Sequence, residues 1–380
     1  MKHLSVRRRG LARAAIASMA AAALFALAGC TSGGGGTAPT EGGGGDIKPM
    51  KLRVATYTGE SVGSAQASKK WTDLVTEKTD GAITFEWFYQ GQLFDAVALR
   101  EAVGNGAVDM GLFSHGYFNA EMPLSQSMNL GFLSSNVQAV GATHQWMWEN
   151  NEAYRAEWDR NKVRPVFWGL EPATTVGCGF EIDDLGILKG KNVRAASLIT
   201  EDFTSVGSNV VALQATEILD AMERGVVDCY GAFGLSLATD TGVALISKRI
   251  YDYGRGGNGA QELVIGTDLW ASLPEAVQTA MNEATAEVTE EWYQPDGLQA
   301  SSVMAACEKV KAAGGIVEVL AEDLRKEWAA VGGPANEKKF LEIAGAEGPD
   351  FLKEYKAKVK EFEKEFPDYV DPTAACAATF

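Results

Sequence analysis

Histidine is scarce in this chain: His3, His115 and His144 are the whole complement in 380 residues. With no HExxH, no CxxC and no His/Cys cluster, a metal site is not expected, and a histidine-based nucleophilic triad has no base to build on. No nucleophile–base pair is evident with so few histidines, so neither an enzyme nor a cofactor is expected. The run Gly254-Arg255-Gly256-Gly257-Asn258-Gly259 opens no helix after a Walker or Rossmann pattern and reads as a bend between lobes. Positive charge is also short, 34 Lys+Arg against 50 Asp+Glu for a net −16. No basic stretch beyond the extreme N-terminus follows a phosphate backbone, which argues against nucleic acid. The longest apolar run, Ala14 to Ala28, is too short to span a bilayer.

That run is suited instead to a signal peptide. Lys2, Arg7, Arg8, Arg9 and Arg13 precede it, and Leu27-Ala28-Gly29-Cys30 follows in the form of a bacterial lipobox. Residues 1–29 are expected to be removed and Cys30 lipidated, the plainer reading being an ordinary cleavage site with a chance cysteine. Arg8-Arg9 leaves general secretory and twin-arginine export both open. Cleavage takes away five positive charges and leaves 29 basic against 50 acidic residues, a net charge of −21. Residues 30–46 hold two runs of four glycines and read as a flexible tether reaching roughly 20 Å. The expected location is outside the cytoplasm, lipid-anchored at the outer face of the cytoplasmic membrane or in the periplasm. There Cys178, Cys229, Cys307 and Cys376 are free to form one or two disulfides, with Cys178–Cys229 the first pairing to consider beside free buried thiols.

The full chain has 46% hydrophobic and 22% charged residues, and beyond residue 46 it alternates strand and helix patterns. Residues 51–57 and 83–88 alternate as strands, while 64–79 and 95–103 have helical spacing, so an α/β fold with a mainly parallel sheet is expected. Residues 99–109 and 218–228 align without a gap, each a helix with a glycine C-cap and then a short strand closing on aspartate. The repetition predicts two similar lobes facing each other across a cleft. Long helices follow over 274–293, 301–313, 321–331 and 350–366, positioned to brace both lobes.

Leu188-Lys189-Gly190-Lys191-Asn192-Val193-Arg194 and the run from Ala215 to Asp228 together resemble the paired signature of the solute receptors of TRAP transporters, DctP type. Gly91-Gln92-Leu93, the Gly106–Asp109 turn, Pro123, residues 129–132 and residues 268–274 extend the resemblance from about Leu52 to Val331. It implies a type II periplasmic-binding-protein-like fold with a hinge and a central ligand cleft. It also implies that Arg194 pairs bidentately with a ligand carboxylate, beside the plainer reading of a structural ion pair. Thr56, Tyr57, Ser114 and His115 fall where the first lobe meets the solute, His115 being equally readable as a support; Ser197, Gln214 and Ala215 fall on second-lobe pocket positions.

The chain departs from the pattern twice. Cys229-Tyr230-Gly231-Ala232-Phe233 puts Ala232 where the family commonly has an asparagine, and Glu171-Pro172 replaces a second arginine. A pocket with Arg194, Glu171 and the aromatic faces of Tyr57, Trp168, Tyr230 and Phe233 suits a zwitterion or an aromatic acid, with Trp168 and Phe233 also readable as core. An Arg194–Glu171 ion pair would undercut that idea. The expected division is 47–170 plus about 258–283 for lobe 1, and 171–257 plus about 284–380 for lobe 2 and the bracing helices. The expected partners are a small organic acid, the small and large membrane subunits of a TRAP permease, and the membrane through the lipid anchor. A receptor for an ATP-driven importer is the alternative within binding proteins, and an exported lipoprotein enzyme the alternative from another class.

Overall fold

The computed structural model describes residues 47–380; the expected signal peptide (1–29), the expected tether and Cys30 lie outside the described residues. In chain order the strands are β1 (Met50–Thr56), β2 (Ile83–Phe88), β3 (Met110–Phe113), β4 (Val163–Glu171), β5 (Thr175–Cys178), β6 (Asn192–Arg194), β7 (Asn209–Val211), β8 (Cys229–Phe233), β9 (Arg249–Asp252), β10 (Asn258–Gly266) and β11 (Ile316–Val319). They form two sheets, ordered β2-β1-β3-β10-β4 and β11-β9-β5-β8-β6-β7.

Each sheet is mixed, where the sequence suggested mainly parallel ones. β1 pairs in parallel with β2 and β3, and β6 in parallel with β7 and β8. β10 runs antiparallel to both its neighbours, as does β5. Each of these two strands arrives from the other sheet, β5 directly after β4 and β10 directly after β9, and so enters against the local direction. The two sheets are thus joined by two short connections, residues 172–174 and 253–257.

Glycine is required in the second connection. Gly254 and Gly256 have φ of 77° and 90°, and a Cβ on Gly256 or Gly257 would stand 2.2 Å from the Ser134 carbonyl oxygen or 2.4 Å from that of Glu171.

The internal repeat has a structural meaning that differs in one detail from the sequence reading. The helices Leu99–Gly104 and Ile218–Glu223 each precede a turn with a positive-φ glycine, Gly106 and Gly225. The strands then begin one residue beyond Asp109 and Asp228 instead of ending on them. Each aspartate accepts a backbone N–H from the neighbouring parallel strand, Asp109 from Arg53 at 2.7 Å and Asp228 from Asn192 at 2.8 Å. The same carboxylate clip therefore sets the register of β1 on β3 and of β6 on β8.

Long helices occupy residues 275–292, 298–312 and 348–365, close to expectation. The helix expected over 321–331 runs instead from Glu322 to Ala344, through Gly332-Gly333-Pro334. Those residues look like a stop because glycine and an internal proline weaken a helix. Here tertiary contact overrides propensity: a Cβ on Gly332 would lie 2.5 Å from the Phe132 ring, and Asn336 one turn on is wholly buried. The C-terminal helices pack beside both sheets. The helix Glu275–Trp292 packs on Gly63–Lys78, and Gly348–Glu365 on Val137–Asn150, both beside the first sheet. The helix Glu322–Ala344 packs on Ile199–Thr204 beside the second.

Cys178 is bonded to Cys229 across β5 and β8, and Cys307 to Cys376, which ties the C-terminal segment to the helix Leu298–Ala312. No helix among the described residues is long and apolar enough to cross a membrane.

Candidate functional site

A cavity opens between the sheets where the carboxyl ends of β1, β3, β6 and β8 meet the start of β10, the position at which open α/β sheets present ligand groups. Tyr57 follows β1; Ser114, Gly116 and Tyr117 follow β3; Arg194 ends β6, with Ala196, Ser197 and Ile199 beyond it; Ala232 and Phe233 close β8; Asn258 begins β10. The cavity is small, about 40 Å³.

Arg194 is the chemical centre of this wall. It is 1% exposed, and its Nε and Nη2 donate to the Leu213 carbonyl at 2.9 and 2.6 Å. Its guanidinium carbon sits 4.6 Å from the centroid of the Phe233 ring. It forms no ion pair among the described residues, Glu171 included. Burial pushes its pKa down, opposed by the nearby Tyr117 and Tyr57 hydroxyls. A cation held in this way has given up its water without gaining an anion, which leaves a strong attraction for an incoming carboxylate.

Tyr57 and Tyr117 meet edge to face at 5.9 Å. Burial raises the Tyr57 pKa well above its ordinary value, so the phenol stays protonated.

A buried polar relay supports the opposite side. Glu262 Oε1 lies 3.0 Å from His115 Nδ1 and its Oε2 accepts the His115 N–H; His115 Nε2 lies 2.8 Å from Asn129 Nδ2. Asn129 Nδ2 also donates to Ser197 Oγ at 3.1 Å, and Ser197 donates to Gln126 Oε1 at 2.6 Å. Glu262 as acceptor places a proton on Nδ1, and Asn129 as donor fits a neutral Nε2. Because Asn129 and Gln126 belong to the first lobe and Ser197 to the second, the relay also latches the lobes together.

More latches lie at the rim, where Asp240 accepts from the Gly59 N–H and from Ser61. Ser197 and Ala232 hold φ of 54° and 77°, conformations that cost an L-residue about 1–2 kcal/mol each. Both are in the cavity wall, where such strain commonly serves a site.

Of the residues expected from the sequence, Arg194, Tyr57, Ser114, Ser197, Ala232 and Phe233 come together around this cavity. The others do not line it. Thr56 is buried behind Tyr57, its hydroxyl bonded to that of Thr58. His115 holds Asn129 and does not reach the cavity itself. Tyr230 bonds Thr175 and stacks on Phe233 from behind. Gln214 caps a short 3₁₀ turn with Glu217, and Ala215 gives its N–H to the Tyr117 hydroxyl.

Trp168 faces away from the cleft: on β4 its side chain lies with Tyr154 and Trp158, and its indole N–H bonds Gln145 at 2.8 Å. Side chains alternate along a strand, and the sequence does not say which face is outward. Glu171 ends the same strand, wholly buried behind Gly234, with neither carboxylate oxygen partnered among the described residues. A pocket carboxylate and a Trp168 face are therefore both removed from the expected constellation. Tyr117, Asn129 and Asn258 were missed. Tyr117 sits three residues beyond Ser114 in the same loop, a legible signal, whereas Asn258 was hidden in a run read as a bend.

Burial raises the Glu171 pKa to about 7. Between its ordinary 4.5 and that value, the unfolded chain has released a proton that the folded chain retains, so stability falls as pH rises through this window and levels off above it. The loss amounts to about 3 kcal/mol. Glu171→Gln should reduce the fall, leaving the part due to Asp371, whose pKa burial and Asp252 raise to about 6, and to Glu157, Asp202 and Asp252, which burial also raises. Urea denaturation at pH 5 and pH 7.5 checks this; equal slopes in both proteins would refute it.

Among the described residues no group of three or more side chains is placed to hold a metal ion. Residues 54–342 match the DctP family, "Bacterial extracellular solute-binding protein, family 7". A monocarboxylate 2-oxoacid-binding periplasmic protein of a Nostoc species is 26% identical over 289 residues, 74% of this chain and 75% of that protein. A TRAP periplasmic solute-binding protein from Desulfovibrio salexigens, solved with bound orotic acid, superposes with a TM-score of 0.72 at 21% identity, covering 82% of this chain and 99% of that one. A marine metagenome TRAP solute-binding protein specific for aromatic acids, solved with 3-hydroxybenzoate, gives 0.74 at 17% identity over 83% and 99%. These two structures share the fold.

Proposed function

The chain belongs to the DctP family of bacterial extracellular solute-binding proteins, family 7, and from that premise we propose that it captures a small organic acid outside the cytoplasm and hands it to a TRAP-type permease driven by an ion gradient. The observation that carries this reading is Arg194, a buried guanidinium in the wall of the interlobe cavity with no carboxylate partner among the described residues. The ligand carboxylate supplies the missing anion. The acids bound by the Nostoc relative and by the two solved structures are in keeping with this chemistry.

Capture proceeds by closure about the two connections at 172–174 and 253–257, with the Asn129–Ser197 and Asp240–Gly59 contacts latching the closed form. Lobe 1 is built on the first sheet and lobe 2 on the second. No catalytic step is assigned to the protein. Cys30 carries the lipid that holds the receptor to the membrane, where it serves the small and large permease subunits. Cys30→Ser should move the protein from the membrane to the soluble fraction without changing its affinity for solute; retention at the membrane would refute the anchor.

A thermal-shift screen of residues 47–380, which lie within one compact unit, against organic acids, amino acids and neutral sugars tests the reading. A ligand at a hundred times its Kd stabilises by about 2.7 kcal/mol, a readily seen rise in Tm. The expected response is to monocarboxylates. A response to neutral sugars alone would overturn the assignment.

A further inference from the structure

A second and larger cavity lies beside the first sheet, at its edge strand β4. Its walls are the helices Val137–Asn150 and Glu275–Trp292 and the end of Gly348–Glu365, and it shares no lining residue with the interlobe cavity. Its volume is about 820 Å³, within the range of roughly 300–1,000 Å³ common for small-molecule sites. Six aromatic side chains line it: Trp146, Trp148, Trp168, Tyr293, Phe362 and Phe366. Gly141 stands in mid-helix, where glycine weakens the element. There it lets the two long helices close on each other, since a Cβ would stand 2.3 Å from the Tyr293 hydroxyl oxygen.

Arg164 brings the charge. It is half-buried at the second position of β4 and lines the cavity. Its guanidinium carbon lies 4.2 Å from the ring centroid of Trp270 and 5.6 Å from that of Trp148. It forms no ion pair among the described residues; burial pushes its pKa down, with Asp159 opposing through space. The other charges are placed differently. Glu149 and Glu290 border the opening, but both are exposed, and Glu149 accepts from the Gln145 amide at 2.7 Å. Water screens them more than it screens a guanidinium held between two indoles. Lys358, over the Trp146 ring, is paired with Glu361.

Along the helix Val137–Asn150 the lining runs from Gln138, at the Phe366 end, to Trp148, at the Arg164 end. Ten residues at 1.5 Å each make this about 15 Å. We propose that the cavity is a second binding site for an elongated aromatic anion, whose rings lie along this helix while Arg164 holds its carboxylate or sulfonate. The aromatic walls gain apolar burial and ring contacts from such a body. The cation regains the counter-charge it lacks. The proposal does not depend on the reading of Arg194.

Fluorescence titration of residues 47–380 with a matched pair of probes tests it. 8-Anilinonaphthalene-1-sulfonate carries the anion, and N-phenyl-1-naphthylamine has the same rings without it. The wild type should take up about one equivalent of the sulfonate. In Arg164→Gln the sulfonate-to-amine affinity ratio should fall about tenfold, the loss of one charge-assisted contact, with the neutral probe little affected. Ala286→Trp, on the exposed face of Glu275–Trp292 that lines the opening, should fill the cavity and exclude both probes; a melt without probe confirms that each variant folds. Arg194→Gln should leave the sulfonate's affinity unchanged. No saturable uptake by the wild type, a ratio unchanged in Arg164→Gln, uptake that survives Ala286→Trp, or uptake lost in Arg194→Gln would each overturn the proposal. So would a wild-type dimer, seen by sedimentation, that Ala286→Trp dissociates, because a second copy would then be the occupant. The wild-type uptake and the Arg164→Gln ratio decide the matter even if Ala286→Trp fails to fold.

Discussion

Arg194→Gln is expected to weaken binding of the cognate acid by roughly 30-fold to several thousand-fold, because truncating one partner of a buried, hydrogen-bonded charge pair costs about 2–5 kcal/mol. The stability of the empty protein should change little. In the wild type the guanidinium is desolvated without an anion and its pKa is pushed down by burial, so removing the charge relieves a cost. Against that, the Leu213 carbonyl loses two donors, of which glutamine replaces at most one. Arg194→Lys should fall between, since a point charge keeps the attraction but not the planar fork. Calorimetry and a melt of the ligand-free protein check both halves. Unchanged affinity in Arg194→Gln would mean the arginine is structural; a collapsed fold would mean that its bonds to Leu213 matter more than its charge.

The second large effect is expected at Arg255, inside the glycine-rich connection. Arg255 Nε lies 2.6 Å from Asp202 Oδ2, and both side chains are wholly buried. Asp202 also accepts from Tyr253 at 2.7 Å and from Asn336 at 2.6 Å, while its backbone carbonyl accepts from Trp328 at 2.7 Å. Arg255 further donates to the Asn129 carbonyl oxygen. One carboxylate thus joins a second-lobe helix, the connection and the helix Glu322–Ala344, and its arginine reaches the loop that supplies Asn129 to the cavity. Arg255→Met leaves Asp202 buried without its cation, at a cost of about 3–5 kcal/mol. Removing both charges, in Asp202→Leu/Arg255→Met, should cost less than the sum of the two single changes, because neither charge is then left alone. Urea unfolding of the three variants checks this, and additive effects would refute the coupling.

The fate of the glycine-rich run shows how far local pattern carries. That it would bend between lobes is legible, since glycine permits φ values that other residues resist and no helix follows. That Arg255 within it anchors the junction, and that Asn258 at its end stands in the cavity wall, depends on Asp202 and Ala232, which approach only when both sheets are assembled. The helix Glu322–Ala344 teaches the reverse. Propensity argues for a stop at Gly332-Gly333-Pro334, yet the close approach to Phe132 and the bond from Asn336 to Asp202 carry the helix onward.

Sequence alone determined that two α/β lobes are related by a repeated helix–turn–aspartate unit, which follows from spacing along the chain as hydrophobic period and glycine caps record it. Arg194 was singled out by the family resemblance, and the structure placed it at the end of a second-lobe strand. Tertiary structure alone decided which neighbours share the cavity. It set Trp168 on the outer side of β4, sealed Glu171 behind Gly234, turned His115 into the support of Asn129, and left Arg194 without an anion. The wall is assembled from five strand ends distant in sequence. Whether a charged or polar side chain there is paired, hidden or free depends on what the packing of the opposite lobe brings against it, and strand periodicity carries no record of that.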